Sequence, residues 1–301
     1  MYFKNILAVA VACIAMACHR HSTLHKTAYV NTVTTSGTGS PVLLGHCSPS
    51  MLQIPPFQTW YDTMYASYQT DAATIQQLQP RLSNRTVEVF LGTWCGDSRR
   101  EVPRLIKVLQ EAHFDTSHLT LIFTGNEPDL YKQSPQHEER GRFIHRVPTI
   151  IVYNNGKEEG RIVETPVTSL EKDLLAIVSG VDYTPKYIAA RYWQQQVKAK
   201  DKLMGAGQLQ QTATALKPLC KSAGELNGLG YVLMGQKKYS EAINVLAVNT
   251  LLYPENYNTY DSLAEAYAKA GDVENARSYY RKALELNPKA THAAEQLAVL
   301  Q

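Results

Sequence analysis

The stretch of this sequence best equipped for chemistry is Thr93-Trp94-Cys95-Gly96-Asp97-Ser98, which sets a cysteine between an apolar run, 87–91, and an amphipathic run, 99–112. That pattern predicts a buried strand, a tight turn and a helix, with Cys95 where the helix begins. Unpaired N–H groups and the positive end of the helix dipole gather there and favour thiolate over thiol, so Cys95 is a candidate nucleophile. Three residues on stands Ser98. Its hydroxyl can bond an exposed N–H and can donate to a Cys95 thiolate, two compatible roles, and it cannot close a disulfide. Asp97 opposes a neighbouring anion slightly. Arg99 and Arg100 either draw an anion or form a solvated face.

The flanking sequence predicts what holds this turn. Helices are expected over 57–68 and 71–82, the second interrupted by Pro80. A strand over 86–91, the Cys95 helix and a strand over 119–124 imply a parallel pair with a right-handed crossover. A polar insertion, 125–141, follows. Strands over 149–153 and 160–164, joined by Asn154-Asn155-Gly156, read as a hairpin, and 169–178 as a closing helix. The set is a small three-layer α/β domain.

Several of these features together resemble the thioredoxin superfamily. Trp94 precedes the cysteine, Pro103 stands eight residues after it, and Phe143-Ile144-His145-Arg146-Val147-Pro148-Thr149 leads into the second hairpin. The resemblance covers roughly 57–180 and implies a mixed-sheet, thioredoxin-like domain over 51–182. It also implies a cis Val147-Pro148 bond beside Cys95, with Pro148 and Trp94 lining the site. Two positions depart from the family: Ser98 stands where redox thioredoxins carry a second cysteine, and Val89 where thioredoxin carries a buried aspartate. The resemblance then implies monothiol exchange on protein substrates, with the mixed disulfide waiting for a substrate cysteine, a small thiol or Cys47. The other reading is a redox-inert thioredoxin fold kept as a binding scaffold.

Strand signals vanish after 180–186, and 187–301 reads as helical. Leu229 and Leu263, Gly230 and Ala264, Ala242 and Ala276, Leu246 and Tyr280, and Pro254 and Pro288 are each 34 residues apart. With Tyr267, Gly271 and Ala283, this register resembles tetratricopeptide repeats over about 223–290. Asn249 departs from the small apolar residue expected there. Residues 187–221 match only as a degenerate helical pair, and 291–300 as a capping helix. The resemblance implies a protein partner, held by tyrosines on the concave face.

A net charge of +3, with 19% charged residues and no basic block, excludes a nucleic-acid reading. Zinc-type cysteine pairs, phosphate-cradling glycine loops and a serine-hydrolase elbow are absent from the sequence, so neither metal nor cofactor is expected. Lys4 and the apolar run 6–17 read as a secretory signal, too short for a comfortable span. Ala15-Met16-Ala17-Cys18 fits a lipoprotein boundary or an ordinary Ala-X-Ala site; the first is favoured, with Cys18 lipidated. The protein is then expected in a bacterial cell envelope, lipid-anchored and facing the periplasm, or else secreted or soluble in the periplasm. Residues 18–50, rich in Ser, Thr, Gly and His, read as a flexible tether. His19, His21, His25 and His46 have no fixed geometry there. Cys47, Cys95 and Cys220 remain as an odd set of thiols.

Overall fold

The computed structural model describes residues 30–197 and 201–300; the signal at 1–17 and Cys18 lie outside them. The first part of the chain runs β1 (Val33–Thr35), β2 (Pro41–Leu43), β3 (Gly45–His46), α1 (Gln58–Ser67), α2 (Ala72–Leu82), β4 (Arg85–Leu91), α3 (Gly96–Glu111), β5 (Leu119–Phe123), β6 (Thr149–Asn154), β7 (Lys157–Val163) and α4 (Leu170–Val178). Strands β1 and β2 form their own antiparallel pair. The other five make a mixed sheet ordered β3-β5-β4-β6-β7, in which β4 and β5 are parallel and every other pair is antiparallel.

Local sequence accounts for most of these elements. In α3, Val102, Leu105, Ile106 and Leu109 recur at helical spacing and all are buried. The Asp71 carboxylate caps α2 by accepting from the N–H groups of Ala73 and Thr74. Contrary to expectation, α2 runs through Pro80. Pro80 and Gln76 both lie on the exposed face, where water can take the carbonyl that Pro80 leaves without a partner. The β6–β7 turn is made by Asn155 and Gly156, both with positive φ, the conformation that a two-residue hairpin turn demands.

The three-layer expectation needs correction. One face of the sheet, with Val87, Val89, Leu91, Leu121, Ile150 and Ile162, shares a single core with α1, α2, α3 and α4. The opposite face carries Phe90, Ile122 and Ile151, and meets Ile144 and Val147 of the coil that joins β5 to β6. That coil is polar and has no 3.6-residue apolar period, so no helix forms to complete the third layer.

The tether expectation is corrected as well, because it does not reach residue 50. Pro41-Val42-Leu43 breaks the polar stretch with apolar residues that find burial, and β3 pairs with β5 at the sheet edge. Val42, Leu43 and Cys47 are buried, and His46 is held within β3.

The helical part comprises α5 (Ile188–Gln196), α6 (Ala206–Leu216), α7 (Ala223–Gly235), α8 (Tyr239–Leu252), α9 (Tyr257–Lys269), α10 (Val273–Leu286) and α11 (Thr291–Val299). The 34-residue register has a packing basis: Leu229, Leu263, Ala242, Ala276, Leu246 and Tyr280 are all fully buried. A Cβ on Gly230 would lie 2.7 Å from the Leu246 side chain, so α7 and α8 approach closely there. Asn249 departs from the repeat pattern because it joins a buried polar chain. Its amide donates to Asn227 Oδ1 at 2.7 Å, and Asn227 donates to Ser262 Oγ at 3.0 Å. Helix α5 packs on α7 and α6 on α8, which explains the weak repeat register before residue 222.

Candidate functional site

Cys95 is the N-cap residue of α3 and is partly exposed. Its S–H donates to the Val147 carbonyl at 3.2 Å, immediately before a cis Val147–Pro148 bond. The structure therefore brings Cys95 and Pro148 together, although they lie 53 residues apart in sequence. Ser98 does not bond the sulfur; it is buried, and its Oγ accepts from the Gly92 N–H at 3.2 Å. Trp94 packs: its indole N–H donates to the Thr124 carbonyl at 2.8 Å, and its ring lies 6.1 Å from that of Tyr131. Glycine is required at 92, since a Cβ there would sit 2.5 Å from the Trp94 indole.

The neighbouring charges are already engaged. The Arg99 guanidinium donates to the Thr93 carbonyl, and Arg100 pairs with Asp97 and Glu101. Cys47 and Cys220 are buried, which pushes both thiols up. Cys47 is thus a core residue and not a mobile thiol. No group of three or more metal-ligating side chains occurs among the described residues.

Of the coil between β5 and β6, sequence reasoning named Pro148 as a site residue but missed Tyr131, Lys132, His145 and Arg146. Lys132 is buried, its ammonium donating to the His145 carbonyl at 3.1 Å above the Tyr131 ring. Burial pulls its pKa down to about 8. Burial likewise pulls His145 down to about 3, leaving it neutral. Arg146 pairs with Glu164 at 3.0 Å, lies over the Tyr187 ring and reaches the Gly224 carbonyl at the start of α7. His145 and Arg146 adjoin Pro148 in sequence, a usable hint, whereas nothing local marks Lys132.

The same coil forms one wall of a groove against the repeats. A 410 Å³ cavity lies between Pro128 and Tyr131 of the coil, Tyr231 and Met234 of α7, and Glu265 and Lys269 of α9. Tyr231 donates to Glu265 at 2.9 Å, tying α7 to α9 along the groove floor. Glycine at 235 permits the approach, since a Cβ there would meet the Pro128 carbonyl at 2.9 Å. Tyr131 faces this groove on one side and Trp94, next to Cys95, on the other.

Comparison with known proteins bears on the helical part. The tetratricopeptide repeat family matches residues 257–290, the span of α9, α10 and the turn that follows. The chain is similar to the human cell division cycle protein 16 homolog, 27% identical over 180 residues, which are 60% of this chain and 24% of that protein. The mouse homolog is 35% identical over 72 residues, 24% of this chain and 12% of that protein. Human superkiller complex protein 3 is 34% identical over 74 residues, 25% of this chain and 5% of that protein. The chain thus spans about a quarter or less of the curated relatives it matches.

Proposed function

We propose that this chain binds a protein partner, whose extended segment lies in the groove between the repeat helices α7 and α9 and the β5–β6 coil. Tetratricopeptide repeats serve protein–protein interaction, and the observation that carries this reading is the shared wall. Tyr131 lines the groove and also contacts Trp94, so a segment held by the repeats runs toward Cys95. Tyrosine, methionine and proline offer apolar area, while Lys269 and Glu265 supply polar selectivity. A photo-crosslinking residue at Lys269 should form adducts that one at Arg281, on α10, does not. Equal adducts from both positions would remove the groove from the account.

A second reading is favoured by the contact between Cys95 and Val147. Parallel β4 and β5 joined through α3, a cysteine at the α3 N-cap and a cis proline entering the β6–β7 hairpin support a thioredoxin-like unit. On this reading Cys95 forms mixed disulfides with partner cysteines. Because Ser98 cannot resolve them, wild type should trap partners, Ser98→Cys should release them, and Cys95→Ser should capture none. Capture by Cys95→Ser equal to wild type would refute the thiol step. From the signal at 1–17 and the cysteine that follows it, Cys18, we also propose a lipid-anchored envelope location, facing the periplasm. Cys18→Ala should release soluble protein or leave the precursor uncut; membrane association unaffected by that change would contradict it.

A further inference from the structure

Lys132 is a buried cation without a carboxylate to balance it. It is 6% exposed, and among the described residues no carboxylate lies within 4.0 Å of its ammonium. Its contacts are the His145 carbonyl at 3.1 Å and the Tyr131 ring, whose centroid is 4.6 Å away. The backbone at Lys132 also has φ of +55°, unfavourable for a long side chain. Burying a charge in this way is costly unless something answers it.

Geometry sets Lys132 beside the Cys95 loop: its ammonium donates to the His145 carbonyl at 3.1 Å, the Cys95 S–H donates to the Val147 carbonyl two residues on at 3.2 Å, and the Tyr131 ring beneath the ammonium also packs against Trp94. Arg146, on the same coil, has the same sign and opposes the ammonium, while Glu164, beyond β7, and Cys95, at the head of α3, support it. Glu164 is already taken, by Arg146 at 3.0 Å and by the Tyr187 hydroxyl. His145 is neutral, and Tyr131 offers its ring face. Cys95 is a group on this side of the sheet that can become an anion, and of the two arginines that follow it Arg100 is paired with Asp97 and Glu101 while Arg99 donates to the Thr93 carbonyl.

We infer that the Lys132 ammonium is the counter-charge of the Cys95 sulfur, a positioning residue that stabilises the sulfur as an anion during thiol–disulfide exchange. The inference rests on the thiol reading above. In the exchange, the Cys95 proton leaves to solvent, and the thiolate attacks one sulfur of a disulfide in the protein substrate. A Cys95–substrate S–S bond forms as the original S–S bond breaks, and the departing sulfur leaves as a thiolate that takes a proton from solvent. Lys132 keeps its own proton throughout and lowers the cost of charge on the sulfur. It thereby adds to the positive charge that Arg99 keeps while bonded to the Thr93 carbonyl, whereas Arg100 is balanced by Asp97 and Glu101.

The test is the pH profile of Cys95 alkylation by iodoacetamide, followed on the Cys95 peptide by mass spectrometry in the intact chain. Lys132→Met should move the profile to higher pH and slow the reaction at pH 7 by about tenfold. Lys132→Arg, which keeps the charge, should restore most of the rate. A Lys132→Met profile that overlies wild type, with an unchanged melting curve, overturns the counter-charge role and leaves the thiol reading intact. Wild-type Cys95 reacting no faster at pH 7 than in the urea-unfolded chain overturns both. If Lys132→Met does not fold, ¹³Cε NMR of lysine in wild type decides. Alkylating Cys95 should move the Lys132 titration to lower pH, and an unmoved titration overturns the inference.

Discussion

The two faces of the central sheet are covered in different ways. Toward α1, α2, α3 and α4 the strands present aliphatic residues to helices whose apolar residues recur at regular spacing, and apolar packing forms the core there. Toward the repeats, a coil without period lies over Phe90, Ile122 and Ile151 and carries Lys132, His145 and Arg146 into partly or fully buried positions. The first face stabilises the fold. The second concentrates buried polar groups, positive backbone φ at Lys132, His137, Gly141 and Phe143, and the sulfur of Cys95. Strain and unbalanced polarity persist where the surrounding structure over-determines them, which is a mark of sites rather than of cores. The proposed chemistry and partner binding both belong to that second face.

The contrast is sharpest under truncation. Leu105→Ala, at a fully buried position on the helix-covered face, should cost about 2–5 kcal/mol, read as a lowered midpoint in urea. A loss under 1 kcal/mol would mean that this face is not the main core.

Acid should act on the other face. His145 is buried and held neutral, with its pKa moved from 6.5 to about 3. The unfolded chain therefore binds more protons between those values, so stability falls as pH drops through that window. Between pH 6.5 and pH 4 the His145 contribution amounts to about 3 kcal/mol. His145→Phe, which keeps a ring against Tyr187, should lessen the acid loss, measured as the difference in unfolding free energy at the two pH values. An identical loss in both proteins would show that the His145 ring is not excluded from water.

A smaller effect is expected in the repeats. Ala276 is fully buried in α10, and Ala276→Leu should cost about 1–3 kcal/mol by overpacking. The loss should appear as earlier melting of the helical part; an unchanged melting curve would contradict close helix approach at that residue.

These differences also explain what was legible in the sequence. Helix α3 is read from Val102, Leu105, Ile106 and Leu109, strand β4 from its apolar run, and the β6–β7 turn from Asn155-Gly156, because each signal is local. The repeat register is legible for the same reason, since each Leu229-to-Leu263 type of match reports the same helix contact twice. Strand β3 escaped notice because two residues carry no period, and its place depends on pairing with β5, more than 70 residues on. The missing helical layer and the burial of Lys132 are likewise consequences of tertiary contact. Of the site, Cys95, Trp94 and Pro148 were legible as a group. Ser98 was named but its hydroxyl turns to Gly92, and the groove wall formed by Pro128 and Tyr131 left no sequence signal.

The central claim is that the repeat groove and the thiol loop act on one partner. The direct measurement is to identify, by mass spectrometry from the same cells, the polypeptide crosslinked from position 269 and the one disulfide-linked to Cys95. The account predicts one and the same protein, crosslinked through a segment that lies near its captured cysteine. Two unrelated proteins, or an adduct at position 269 no stronger than that at 281, would contradict it.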